Sequence, residues 1–236
     1  MRDPYLYQDA DVLINCAGIK DAETLQRAEA DITALTMASI YNMRFDKFDA
    51  DTLLEIHRLI FGQVYPWAGE IRTIQIIKHE PVLGGDTVRY TQPDDIAKEL
   101  KAVMKEITKL KRNGTNDRDV VFRLTRIIPA IWQIHPFREG NTRTIIVFAV
   151  LLANHLGFDV QHELFKRNAH YVRNALVWCT QGMYAKYEYL EQIFFDAILH
   201  EDAEQDSLPE KGSGKYDTIN GYDVRDYEPR PHEYKE

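Results

Sequence analysis

Ile134-His135-Pro136-Phe137-Arg138-Glu139-Gly140-Asn141-Thr142-Arg143-Thr144 lies between two apolar segments of helical period. It therefore reads as a short loop that feeds a helix start. A helix start presents N–H groups without intrahelical partners and the positive end of the macrodipole, which together favour a phosphate. Gly140 lets the backbone come close to an anion, and Arg143, one turn in, adds a charge-assisted contact. Glu139 supplies a hard oxygen of the kind magnesium takes. His135, at the loop entrance, is a titratable base with an ordinary pKa near ~6.5. Base, metal ligand and anion cradle fall within nine residues. On spacing alone, the same residues also fit a solvated connection between helices.

Helical period continues on both sides. Before the loop, a segment capped by Asn116 or Asp117 runs through Leu124, Ile127 and Ile128 to Ile134, with Pro129 expected to kink or shorten it. After it, a helix is expected from Thr142 to His155, stopped by Gly157. Leu25, Ala28, Ile32 and Leu35 mark another between Asp21 and Met43. Ile96, Leu100, Val103, Ile107 and Leu110 mark one opened by Pro93 and ended by Asn113-Gly114. Two more are read from His162 to Cys179 and from Tyr187 to His200. The exception is Ile71 to Tyr90, where β-branched, partly alternating residues flank Gly84-Gly85-Asp86. That pattern predicts a β-hairpin leaning on the helical body. The expected fold class is mostly α: a helical bundle with one hairpin beside the loop. Residues 1–200 form the domain. Residues 201–236, rich in Asp, Glu, Lys, Gly and Pro, read as a flexible polar tail.

Bulk composition narrows the function. The 236 residues are 44% hydrophobic and 28% charged, as in soluble globular proteins. A net charge of -8 argues against nucleic-acid and membrane-surface partners. Cys16 and Cys179 are too few for a disulfide framework or a thiolate zinc site. The first residues lack a signal-peptide layout, and no run approaches the roughly 20 apolar residues of a membrane helix. A cytoplasmic protein is expected, which is compatible with delivery into another cell by a route that reads no N-terminal signal.

The central stretch resembles the signature of the Fic (filamentation induced by cAMP) family, His-x-Phe-x-(Asp/Glu)-Gly-Asn-Gly-Arg-x-x-Arg. His135, Phe137, Glu139, Gly140, Asn141 and Arg143 match it. The resemblance extends over about residues 1–200, including the Tyr5-Leu6-Tyr7 opening, the Gly18-Ile19-Lys20-Asp21 turn and a hairpin flap ahead of the motif.

What the resemblance implies is a protein adenylyltransferase. His135 would take the proton of a Ser, Thr or Tyr hydroxyl on a target protein, and that oxygen would attack the α-phosphate of ATP. Glu139 would hold Mg²⁺, while Gly140, Asn141, Thr142 and Arg143 would bind the phosphates. Tyr171 and Asn174 sit where relatives contact the base, although aromatics at helical spacing usually pack in a core. Ile76, Ile77, Lys78 and His79 would form the part of the flap that docks the target as an added strand. Lys78 and His79 also fit a plain solvated tip.

Two positions depart from the signature. Thr142 replaces its second glycine, and Ile146 its final arginine. In the family that arginine contacts the γ-phosphate and pairs with the glutamate of an inhibitory helix. Ile146 can do neither. It keeps open the transfer of another phosphate-containing group, and beside it an inactive binding module. The inhibitory sequence (Ser/Thr)-x-x-x-Glu-(Gly/Asn) is absent from the chain. Family members of that kind are often restrained by a small antitoxin-type partner.

Overall fold

The computed structural model describes residues 3–112, 114–201, 215, 216 and 219. Eight α-helices occur among them: α1 Ala22–Ile40, α2 Ala50–Phe61, α3 Ile96–Ile107, α4 Asp117–Ile134, α5 Asn141–His155, α6 His162–Arg167, α7 Ala169–Cys179 and α8 Glu188–Leu199. Three of the eight starts carry a side-chain cap. The carboxylate of Asp21 accepts from the Thr24 N–H, that of Asp49 from Thr52, and the Asn116 side chain from Arg118. α4 lies at the centre and packs against α3, α5, α7 and α8, while α2 bridges α1, α3 and α5. Trp67 and Trp132 are buried in the core. No helix among the described residues is long and apolar enough to cross a membrane.

Several sequence expectations need correction. α2 was not anticipated at all. α3 stops at Ile107, short of the expected Asn113-Gly114 stop, because Leu110 is reached by a turn with N–H bonds to Glu106 and Ile107. α4 runs through Pro129 without a break. The segment read as His162 to Cys179 is two helices, divided at Asn168, whose backbone (φ -110°, ψ 33°) leaves the helical region.

The hairpin is also reduced. Among the described residues, 71–90 holds no strand, only one antiparallel bridge between His79 and Thr87. Side chains explain why. The carbonyls that a ladder would use are taken instead by Arg72, which donates to Ile74 and Thr91, and by Gln75, which donates to Tyr90. The tip survives as a 3₁₀ turn, Pro81–Leu83, closed by Glu80 N–H to Asp86.

The reading of 201–236 as a flexible tail falls mostly outside the described residues. Where the structure describes them, Tyr216 donates to Asp196 on α8, Lys215 pairs with the same carboxylate, and Ile219 is buried.

Candidate active site

The loop between α4 and α5 is braced by its own Asn141 and, from outside it, by Arg72 and His57. His135 is the C-cap of α4 and adopts a left-handed backbone, φ 51° and ψ 60°. Arg72 holds that turn: its Nε donates to the His135 carbonyl at 2.8 Å, and its N–H to the Pro136 carbonyl at 2.8 Å. The Asn141 amide spans the loop, accepting from Phe137 N–H at 2.9 Å and donating to Phe137 C=O at 2.7 Å. Gly140 begins α5 at φ 79°, and a Cβ there would lie 2.3 Å from the Phe61 ring, so only glycine fits. The sequence reading gave Gly140 to an anion; the structure adds the ring beneath it.

Two buried histidines divide the work. His57, on α2, accepts the Gly69 N–H at Nδ1 (2.8 Å), so its Nε2 carries the proton and donates to the Glu139 carbonyl at 3.1 Å. Its ring stacks on Phe137 at 3.8 Å, and burial pushes its pKa down to about 4. It is a structural brace. His135 differs at one atom. Its Nδ1 lies 3.3 Å from the Trp132 carbonyl, which can only accept, so the proton sits on Nδ1. Nε2 is left with a lone pair, buried and with no hydrogen-bond partner. Such orphaned polar atoms are costly, and they gather where chemistry is done. Burial first, then the charges of Lys78, Arg72 and Arg173, hold the imidazole well below its ordinary pKa. His135 is therefore neutral near pH 7, the form a base requires.

Glu139 accepts from the Gly140 N–H at 3.0 Å with one oxygen, and its other oxygen lies 3.2 Å from the Lys78 ammonium. Burial pushes its carboxyl up, but Lys78, the Gly140 N–H and Arg143 outweigh that and keep it below the usual range. Its side chain remains about a third exposed (32%). The N–H groups of Asn141, Thr142 and Arg143 make no hydrogen bond among the described residues, as expected for a first helical turn.

The remaining expected site residues separate. Thr142 accepts from the Trp132 indole at 2.9 Å. The Arg143 guanidinium is held by Glu29 and Thr33 of α1 and lies 4.7 Å above the Phe61 ring. It also lines, with Thr142 and Ile146, a cavity of about 280 Å³ walled by Met37, Phe165 and Val172. Tyr171 is turned toward α8, where its hydroxyl donates to Tyr189 C=O and Gln192. Asn174 is buried, one turn from His170. Ile76 is buried and Ile77 exposed. His79 caps the tip by bonding Gly85 C=O at 2.8 Å. Lys78 is not a solvated tip residue but part of the site. His57 and Arg72 were missed as functional braces, as were Glu80, Tyr90 and Arg173.

A neutral imidazole with one unpartnered nitrogen, an ionised carboxylate four residues on and a helix start with unpaired N–H groups suit transfer at a phosphate, and the class this defines is the nucleotidyltransferases. Comparison with known proteins agrees, and the chain belongs to the Fic/DOC family. The family's sequence model matches residues 47–153. The chain is 32% identical over 163 residues to the probable protein adenylyltransferase Fic of Salmonella typhimurium, covering 69% of this chain and 78% of that one. It is 30% identical over 166 residues to the protein adenylyltransferase VbhT of Bartonella schoenbuchensis. That match takes in 70% of this chain but spans only about a third (34%) of VbhT. Among solved structures, the N-terminal Fic domain of a Bep effector from Bartonella quintana, with bound ADP, gives a TM-score of 0.68 at 25% identity. It covers 82% of this chain and 93% of that one. The BepC protein of Bartonella tribocorum, with bound AMPPNP, has the same fold at TM-score 0.68 and 24% identity, covering 82% and 95%.

Proposed function

We propose that the chain transfers AMP from ATP to a Ser, Thr or Tyr hydroxyl of a target protein, with His135 as general base. The observation that carries this reading is the Nε2 of His135: buried, unpaired, and left as the acceptor by the Nδ1 contact to Trp132. Nε2 takes the hydroxyl proton, the hydroxyl oxygen bonds to the α-phosphorus, and the bond from that phosphorus to the bridging oxygen breaks. Pyrophosphate leaves, and the imidazolium returns its proton to solvent. The N–H groups of Asn141, Thr142 and Arg143 face the phosphate chain, and the Arg143 guanidinium adds charge. The Asn141 side chain serves by holding the loop.

No group of three metal-binding side chains occurs among the described residues, so Glu139 alone would hold Mg²⁺, together with the phosphates of ATP. The donor fits: it is a hard, ionised oxygen with an exposed edge. Bound there, the ion would neutralise phosphate charge. Ile76, Ile77, Lys78 and His79 would meet the target, with Ile77 as its exposed apolar contact. Tyr171 and Asn174, though both packed, remain assigned to the base end by family likeness. A cytoplasmic setting, with a target protein and a small antitoxin-type inhibitor as partners and neither nucleic acid nor membrane, completes the proposal.

A second reading, transfer of another phosphate-containing group, draws on Ile146, an apolar wall where the family signature has arginine.

The test is incubation of wild type and His135→Ala with Mg²⁺ and a lysate, using ATP labelled at the α- or the γ-phosphate. Protein labelled from the α-position by wild type only is expected, with His135→Ala reduced about 10²–10⁴-fold and still folded. Label from the γ-position would establish phosphate transfer in its place.

A further inference from the structure

The imidazole of His135 is held from behind by a chain of contacts that leaves the motif altogether. The Tyr90 ring stacks on it, with centroids 4.0 Å apart and planes 30° from parallel. The Tyr90 hydroxyl donates to Glu80 Oε1 at 3.3 Å. Glu80 is fully buried, and Arg173 of α7 places one nitrogen 2.7 and 2.8 Å from its two oxygens. The backbone of the same Glu80 closes the tip of the 71–90 segment, donating to Asp86 and accepting from Leu83 and Gly85. One residue therefore joins three things: the tip, α7 and the ring behind the base.

The Glu80 carboxylate is buried while the Arg173 side chain stays about a third exposed (34%), and such a pair is a poor device for stability alone. The cost of desolvating the carboxylate offsets much of the attraction, which solvent at the arginine also weakens. What such a pair supplies is direction, because the bonds are short and each partner is costly to leave unpaired. Neither Glu80 nor Arg173 belongs to the signature around His135.

We propose that the Glu80–Arg173 pair is a positioning element for the catalytic base: through Tyr90 it sets the plane of the His135 ring, and with it the line along which Nε2 meets the hydroxyl. This rests on the reading of His135 as the base. Tyr90 is the lever, and the ion pair is its anchor.

The test reads the ring itself. Histidine Cε1–H signals are recorded at pH 7.5 for wild type and for Glu80→Gln, Arg173→Met and Tyr90→Phe, with the His135 signal assigned by its loss in His135→Asn. A proton against the Tyr90 face carries a ring-current shift, so the signal reports the stack. Its displacement in all three variants, beyond any change in the other seven histidines, is expected. Turnover in the labelling assay should fall about tenfold or more, with half-saturation by ATP within about twofold of wild type, as misaligned bases do. A stationary His135 signal in folded Tyr90→Phe overturns the proposal. So does a loss of activity that only follows the loss of folded protein. Should Glu80→Gln not fold, Arg173→Lys, which keeps the charge but shortens its reach, and Tyr90→Phe carry the test. If wild type transfers no label while the signal still moves, the positioning holds and the AMP-transfer reading fails.

Discussion

The loop 135–141 and the segment 71–90 face each other across the candidate site but are held in opposite ways. The loop is closed by Asn141, on both backbone groups of Phe137, and by His57 from α2, on the Glu139 carbonyl, over an apolar floor of Phe61 and Phe137. The 71–90 segment has no ladder. It hangs on side chains: Arg72 and Gln75 at its base, and Glu80 at its tip. Reacting groups need placement to a fraction of an ångström, and the loop supplies it. On the proposed reading, a surface that meets a target protein gains from adjustable side-chain tethers instead.

That contrast breaks most readily at Arg72, whose buried guanidinium serves both regions. Arg72→Met leaves the carbonyls of His135, Ile74 and Thr91 without a donor. The expected cost is about 3 kcal/mol, seen in denaturant unfolding. Amide exchange should quicken first in 71–92 and only then around 135–141. Equal quickening in both would show that the two regions are one unit.

Gly140→Ala sharpens the other side. The left-handed backbone and the Phe61 ring together should cost about 2–3 kcal/mol, and exchange should rise in the loop while the Glu80 tip stays protected. An unchanged melting temperature would remove the steric reading of Gly140.

The smallest expected effect is in the pH dependence. His57 titrates near 4 when folded and near ~6.5 when unfolded. Its depressed value means that the unfolded chain takes up the proton first. The neutral brace therefore contributes fully above about pH 6.5, and stability falls as pH drops from there toward 4, with about 2 kcal/mol lost by pH 5. His57→Asn should flatten this acid slope measured by urea unfolding at several pH values. A slope equal to that of wild type would assign the loss to other groups.

Much of this was legible in the sequence, and the failures are as physical as the successes. The loop could be read because its residue types are themselves the chemistry: a base, a carboxylate, a glycine and an arginine at a helix start. α2 was overlooked although Asp49 caps it and Leu53, Ile56 and Ile60 recur at helical steps. With it went His57, whose role depends on Gly69 and Glu139, distant in sequence. Arg72 was invisible for a related reason: its partners are backbone carbonyls, which carry no signature. The hairpin was over-read because β-branched alternation reports a half-buried extended chain, not whether its hydrogen bonds go to a second strand or to an arginine.

His135 pays twice for its place. It carries a Cβ in a left-handed backbone and buries a ring nitrogen that nothing satisfies. A glycine or asparagine would rest there more comfortably. Selection for a durable fold alone would therefore favour another residue at this position.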